Sequence, residues 1–181
     1  MQKSIVIGIG GAGCNILRYL KENKLEDIDY CCIESDKFNE NILLDSTHFI
    51  GELEQEIQGN PQLAEQFAKS AEKTLTEILF NSDNIFLLVG LGGGIGTGMS
   101  PVVAEIAHKL GKRVVSFVVM PFEFEGRIRN SYARQSVDKL NLYCEKVWIF
   151  NNDEYAKYGS ISLFFEQLNA TIKHQIQQYL A

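Results

Sequence analysis

Apolar residues recur along this chain in two alternating periods, short β-branched runs giving way to segments with apolar positions three and four apart. Ser4 to Ile9 reads as a strand, and Gly10 to Gly13 turns it into a helix with Ile16, Leu17 and Leu20 on one face. Asp29 to Glu34 reads as a second strand and Thr47 to Ile50 as a weaker third. One long helix is predicted from Gln62 to Leu79, because Leu63, Phe67, Ala71, Leu75 and Ile78 share a face. Asn84 to Leu91 is nearly all apolar, the pattern of a central strand covered on both sides. After glycine-rich residues 92–98 comes a helix with Pro101 early in it, where a missing N–H costs no bond. Its buried face holds Val103, Ile106, Ala107 and Leu110. Arg113 to Met120 is another central strand, residues 130–141 a helix and Lys146 to Phe150 a strand. The last helix, Ser162 to Tyr179, carries Phe165, Leu168, Ile172, Ile176 and Tyr179 on one stripe and is polar elsewhere, so it can form the edge of a domain. Strand and helix alternating in this way predict one α/β domain built on a mainly parallel sheet.

Composition adds exclusions. With 181 residues, 45% hydrophobic and 22% charged, the chain is long enough to bury a substantial core, which excludes disorder for most of it. The net charge of −6, from 17 Lys+Arg against 23 Asp+Glu, leaves no broad basic footprint, so nucleic acid is excluded as a partner. The longest apolar stretches, such as Ile85 to Leu91, fall far short of the roughly 18 residues that span a bilayer. Met1 to Cys14 mimics a lipoprotein leader, but its apolar part, Ile5 to Ile9 interrupted by Gly8, is too short for export. Cys14, Cys31, Cys32 and Cys144 form no C-x-x-C pair, and neighbours Cys31 and Cys32 point to opposite faces of a strand. They read as free thiols of a cytoplasmic chain.

The chemistry lies in two glycine clusters. Gly8-Ile9-Gly10-Gly11-Ala12-Gly13 matches G-x-G-x-x-G at a strand-to-helix turn, where the backbone can approach a phosphate and a helix N-terminus offers free N–H groups. Glu34 and Asp36 stand near where a dinucleotide-binding fold keeps its ribose-binding acid, so a nicotinamide-dependent oxidoreductase competes at this point. The second cluster, Gly92-Gly93-Gly94-Ile95-Gly96-Thr97-Gly98, has more glycines than a turn calls for. It places a second phosphate cradle on the same sheet edge, which suits a polyphosphate gripped from both sides. Nothing in the chain supplies a hydride-transfer residue or a substrate domain for the oxidoreductase.

The segments GIGGAGCN (8–15), GLGGGIGTGMSPVVAEIA (90–107), MPFEFEGRIRNSYA (120–133) and NND (151–153) resemble, in this order and spacing, the nucleotide-binding domain of the FtsZ/tubulin family. The resemblance covers essentially the whole chain. It implies a Rossmann-like three-layer fold, a bound GTP or GDP with Mg²⁺ as an accompanying ion, and assembly into division-type filaments with itself or with a full-length FtsZ-type protein. Carried over by residue, it sets the α- and β-phosphates against Gly11, Ala12, Gly13 and Cys14, with Asn15 toward the guanine. Gly94, Ile95, Gly96 and Thr97 would wrap the other phosphates, and Gly59-Asn60-Pro61 matches the loop that senses the γ-phosphate. Glu125 and Arg129 match ribose contacts, with Asn152 near the sugar. Phe165 would cover the guanine face and Asn169 accept from its polar edge, an arrangement chemically suited to that base.

Departures from the pattern are as informative. Ile95 stands where the family has a threonine, and Glu34 where it has an asparagine, so a hydroxyl is lost and a negative charge gained beside a polyanion. Both favour a third reading, a structural interaction module that has lost its nucleotide. Residues 1–181 match the domain up to its central helix, without the family's acidic water-positioning loop and second domain, so the expectation is nucleotide binding with little GTP hydrolysis by this chain alone.

Overall fold

The aliphatic runs pair into one parallel sheet. The structure, a computed structural model, describes residues 2–35, 47–49, 59–155 and 159–181, with 47–49 and 155 described by backbone alone. Strands β1 (Ser4–Ile9), β2 (Asp29–Glu34), β3 (Thr47–Phe49), β4 (Asn84–Gly90), β5 (Arg113–Met120) and β6 (Lys146–Asn151) lie in the order β3-β2-β1-β4-β5-β6. Each neighbouring pair is parallel, with Ile9 beside Val89 and Met120 beside Asn151 at the carboxyl ends.

Helices are α1 (Gly10–Glu22), α2 (Pro61–Ser70), α3 (Glu72–Phe80), α4 (Ile95–Lys109), α5 (Arg127–Leu140), the single turn α6 (Asn152–Tyr155) and α7 (Ile161–Leu180). A strand's alternating side chains feed two cores. Ile5, Ile7 and Ile9 face α2 to α5, whereas Val6, Phe86 and Phe117 face α1 and α7. The result is three layers, as expected. Cys31 and Cys32 divide between the two cores, also as expected.

Five expectations need correction. The long helix from Gln62 is two helices that change over at Ala71, which adopts φ −94° and ψ 17° and whose N–H donates to the Phe67 and Ala68 carbonyls at the end of α2. The second glycine cluster is half loop and half helix, because α4 already begins at Ile95. Pro101 therefore lies inside α4, where its missing N–H leaves the Thr97 carbonyl without its helical donor. The Ser136 hydroxyl of α5 donates to that carbonyl at 3.0 Å. On α7 the buried stripe begins at Phe164, 2% exposed, while Phe165 is 41% exposed. Finally, Cys14 and Cys32 are joined as a disulfide with Cα atoms 5.7 Å apart, so only Cys31 and Cys144 are free. The third strand matches its prediction over Thr47–Phe49, and both Ile50 and Asp36 lie outside the described residues.

Candidate functional site

Strand order reverses at β1, whose successor β2 lies on one side and β4 on the other. Ligand crevices in open parallel sheets form at that reversal, beyond the carboxyl ends of the strands. Both glycine clusters sit there because α1 starts directly after β1 and the other cluster directly follows β4. A cavity of about 570 Å³ opens between them, within the usual size of a small-molecule site.

Gly11 and Ala12 of α1 line it on one side, and Gly94, Ile95 and Gly96 on the other. Glu125, Arg129, Asn152 and Phe165 complete the far wall. The glycines divide by physical role. A Cβ on Gly13 would stand 2.2 Å from the Leu88 carbonyl oxygen, and one on Gly96 would stand 2.3 Å from that of Gly90. These two allow helix backbone to sit directly on β4. A Cβ on Gly93 would meet nothing within 4 Å, and one on Gly11 only the Glu34 carboxylate at 3.8 Å, so these positions face open space.

The remaining expected residues stand apart from the cavity lining. Gly13 is taken up by packing and Cys14 by its disulfide. Asn15 is exposed, its side-chain oxygen accepting from Arg18 at 3.1 Å. Thr97 acts within the loop, its Oγ1 accepting the Gly92 N–H at 2.8 Å. Asn169 is half-buried on α7. In the Gly59-Asn60-Pro61 segment, Gly59 lines the cavity while the Asn60 side chain caps α2 by accepting the Leu63 N–H at 3.1 Å.

The polar groups of the far wall are held in place. Glu125 accepts the Phe122 N–H at 3.0 Å and pairs with Arg129 one helical turn on. Four side-chain oxygens are buried without a hydrogen-bond partner among the described residues, and two of them belong to expected site residues: Asn152 Oδ1, on a residue only 8% exposed, and Asn169 Oδ1, the others being the Ser100 and Ser116 hydroxyls. A buried acceptor left unpaired is costly, which points to a donor arriving with a ligand. Phe165 completes a run of rings, 4.7 Å from Phe164, which lies 6.3 Å from Phe122. Its exposed face remains available for stacking.

Sequence reasoning did not place Ser35, Leu91, Met120 or Pro121 in this wall. Their signal is positional only, since each follows or ends a strand at the reversal point. Glu34, noted in the sequence as an added charge, lines the cavity at 3% exposure. Among the described residues no group of three or more His, Cys, Asp or Glu is arranged to hold a metal ion, and no helix is long and apolar enough to cross a membrane.

The GTPase-domain model of the Tubulin/FtsZ family matches residues 3–159. The cell division protein FtsZ of Buchnera aphidicola subsp. Baizongia pistaciae is 35% identical over 180 residues, covering 95% of this chain and 47% of that protein. FtsZ 1 of Pyrococcus woesei is 37% identical over 159 residues, covering 82% and 42%. The chain thus spans about half the length of the curated relatives it matches. The empty FtsZ dimer of M. jannaschii superposes with a TM-score of 0.86 at 30% identity, over 97% of this chain and 53% of that one. The GTPγS-bound protofilament of CetZ2 from Haloferax volcanii shares the fold, with a TM-score of 0.83 at 22% identity over 98% and 58% of the two chains. With its glycine clusters at the sheet's reversal point and this family match along most of its length, the chain belongs to the Tubulin/FtsZ family.

Proposed function

We propose that this domain binds a guanine nucleotide, GTP or GDP, and acts in the nucleotide-dependent assembly or regulation of a division-type filament in the cytoplasm. The observation that carries the reading is the orphaned acceptor Asn152 Oδ1 in the lining of a cavity walled by two glycine-rich helix starts. Guanine presents N1–H and N2–H donors, and ribose presents hydroxyls, whereas adenine offers no donor at N1. Gly11 and Gly94 would hold the phosphates by backbone N–H, Glu125 and Arg129 the ribose, and Phe165 the base. Mg²⁺ would accompany the phosphates.

Hydrolysis by these residues alone is proposed to be slow. Ile95 gives the cavity a hydrocarbon, and the Thr97 hydroxyl of the same segment already accepts the Gly92 N–H. Phosphoryl transfer depends on a positioned water, and neither group provides one. Assembly partners are proposed to be further copies of this chain or a full-length FtsZ-type protein. Mass spectrometry of nucleotide released from the purified, denatured protein tests the reading: guanine nucleotide supports it, and a dinucleotide or nothing overturns it. Calorimetry adds a second test, with ATP expected to bind more weakly than GTP by about 1–3 kcal/mol for each acceptor left unpaired.

A further inference from the structure

Resting on the guanine-nucleotide reading above, we propose that Ile95 makes this site selective for a nucleoside diphosphate, so that GDP binds more tightly than GTP. The strand order sets the direction in which the ligand lies. Asn152 directly follows β6, Gly93 follows β4, and Gly11 follows β1, and all three line the cavity. With base and sugar held at Phe165 and Asn152, the phosphate chain runs from β6 toward β1. It meets the open backbone at Gly93 first and at Gly11 second, each at the start of a helix. Two cradles of this kind take two phosphates.

A third phosphoryl group is left with the floor between the cradles, and that floor is hydrocarbon. Ile95 opens α4, lines the cavity and packs against the core on that face of the sheet. A Cβ on Gly10 would stand 3.5 Å from its Cβ and 3.6 Å from its Cγ2, so the side chain covers the seam where the two glycine clusters meet. Branching at Cβ leaves it one strongly favoured rotamer on a helix, and its contact with the core holds it there. Farther toward β2, the Ser35 N–H is already given to Glu34 at 2.9 Å. The oxygens of a third phosphate need water or donors, and over Ile95 they would exchange hydration for methyl groups, which is unfavourable. A diphosphate ends before that exchange is required.

The test measures GMP, GDP and GTP binding by calorimetry at one Mg²⁺ concentration, on nucleotide-free parent and on Ile95→Thr, which replaces the ethyl arm by a hydroxyl. In the parent, affinity is expected to rise at least about tenfold from GMP to GDP and to fall at least about tenfold from GDP to GTP. In Ile95→Thr the preference for GDP over GTP is expected to shrink to about threefold or less, because a hydroxyl pairs with a phosphate oxygen. GTP bound by the parent as tightly as GDP overturns the inference and gives the third phosphate to Gly59, which also lines the cavity. Equal affinity for GMP and GDP overturns it too, since the second cradle would then hold nothing. A preference unchanged in Ile95→Thr places the discrimination outside Ile95 and likewise overturns it. Should that variant not fold, Ile95→Val, which keeps the branch and removes one methyl, is expected to narrow the preference by at least about twofold, and no narrowing overturns the proposal. A parent that binds neither GDP nor GTP overturns the functional reading itself.

Discussion

The Ser136 hydroxyl, on α5, donates at 3.0 Å to the Thr97 carbonyl on α4, replacing a bond that Pro101 cannot make. Thr97 in turn accepts the Gly92 N–H through its hydroxyl, so α5 is linked through Thr97 to the loop that walls the cavity. Ser136→Ala would leave a buried carbonyl unpaired and is expected to destabilise the domain by about 1–3 kcal/mol in urea unfolding. Pro101→Ala restores the backbone N–H, so in that background the same serine substitution should cost markedly less. A double-mutant cycle measures the difference; equal costs in both backgrounds would show that the hydroxyl is not the replacement donor.

Substitutions in the cavity separate binding from folding only at open positions. Gly96→Val would drive its side chain into the Gly90 carbonyl and is expected to unfold the domain. Gly11→Val faces no backbone and should change the melting temperature little while lowering GTP affinity more than about tenfold, by filling the phosphate approach. Phe165→Ala removes an already exposed ring and should weaken nucleotide binding with the fold intact. Calorimetry paired with thermal unfolding reads both; nucleotide binding unchanged in Gly11→Val and Phe165→Ala would put the ligand elsewhere.

Thiol chemistry follows the cysteine environments. Burial pushes the Cys31 and Cys144 thiols up to about 12, so neither offers much thiolate at pH 8. The oxidised native protein is expected to react slowly with a thiol reagent, to show two thiols when denatured and four when denatured and reduced. Closing 18 residues of chain, the Cys14–Cys32 bond should add about 3 kcal/mol to stability relative to the dithiol, and unfolding with and without reductant measures this. Four thiols in the denatured, unreduced protein would show that the bond does not form.

Acid sensitivity should be traceable to Glu65. Lys139 and Lys69, each 2.7 Å away, hold its carboxyl below the ordinary carboxylate value. A depressed folded-state value stabilises the protein above the unfolded value and loses that contribution as pH falls through the folded one. Both lysines are half exposed or more, so the gain is screened and amounts to below about 1 kcal/mol per pair. Glu65→Gln is expected to lower the melting temperature modestly at pH 7, with the difference from the parent shrinking as pH falls through the lowered folded-state value. A difference that does not change with pH would point to packing instead of charge.

The amino-acid order by itself determined the alternation of strands and helices, the parallel sheet and the two glycine clusters, because these follow from local periodicity and from loop chemistry read a few residues at a time. The family likeness rested on such contiguous segments too. Tertiary structure decided which members of each cluster face ligand space: Gly11 and Gly93 are open while Gly13 and Gly96 are consumed by contact with β4, a distinction between identical residues that only the neighbouring strand can make. It decided that Pro101 stays inside a helix, since Ser136, 35 positions later, supplies the missing donor. The buried stripe of α7 begins at Phe164 and not at Phe165 because one residue is a 100° turn on a helix, and the packing of α7 against the sheet sets which ring is covered. The pairing of Cys14 with Cys32 likewise needed α1 folded back beside β2. Periodicity reports which face of an element is apolar, whereas the distance between elements far apart in sequence is a property of the packed sheet alone.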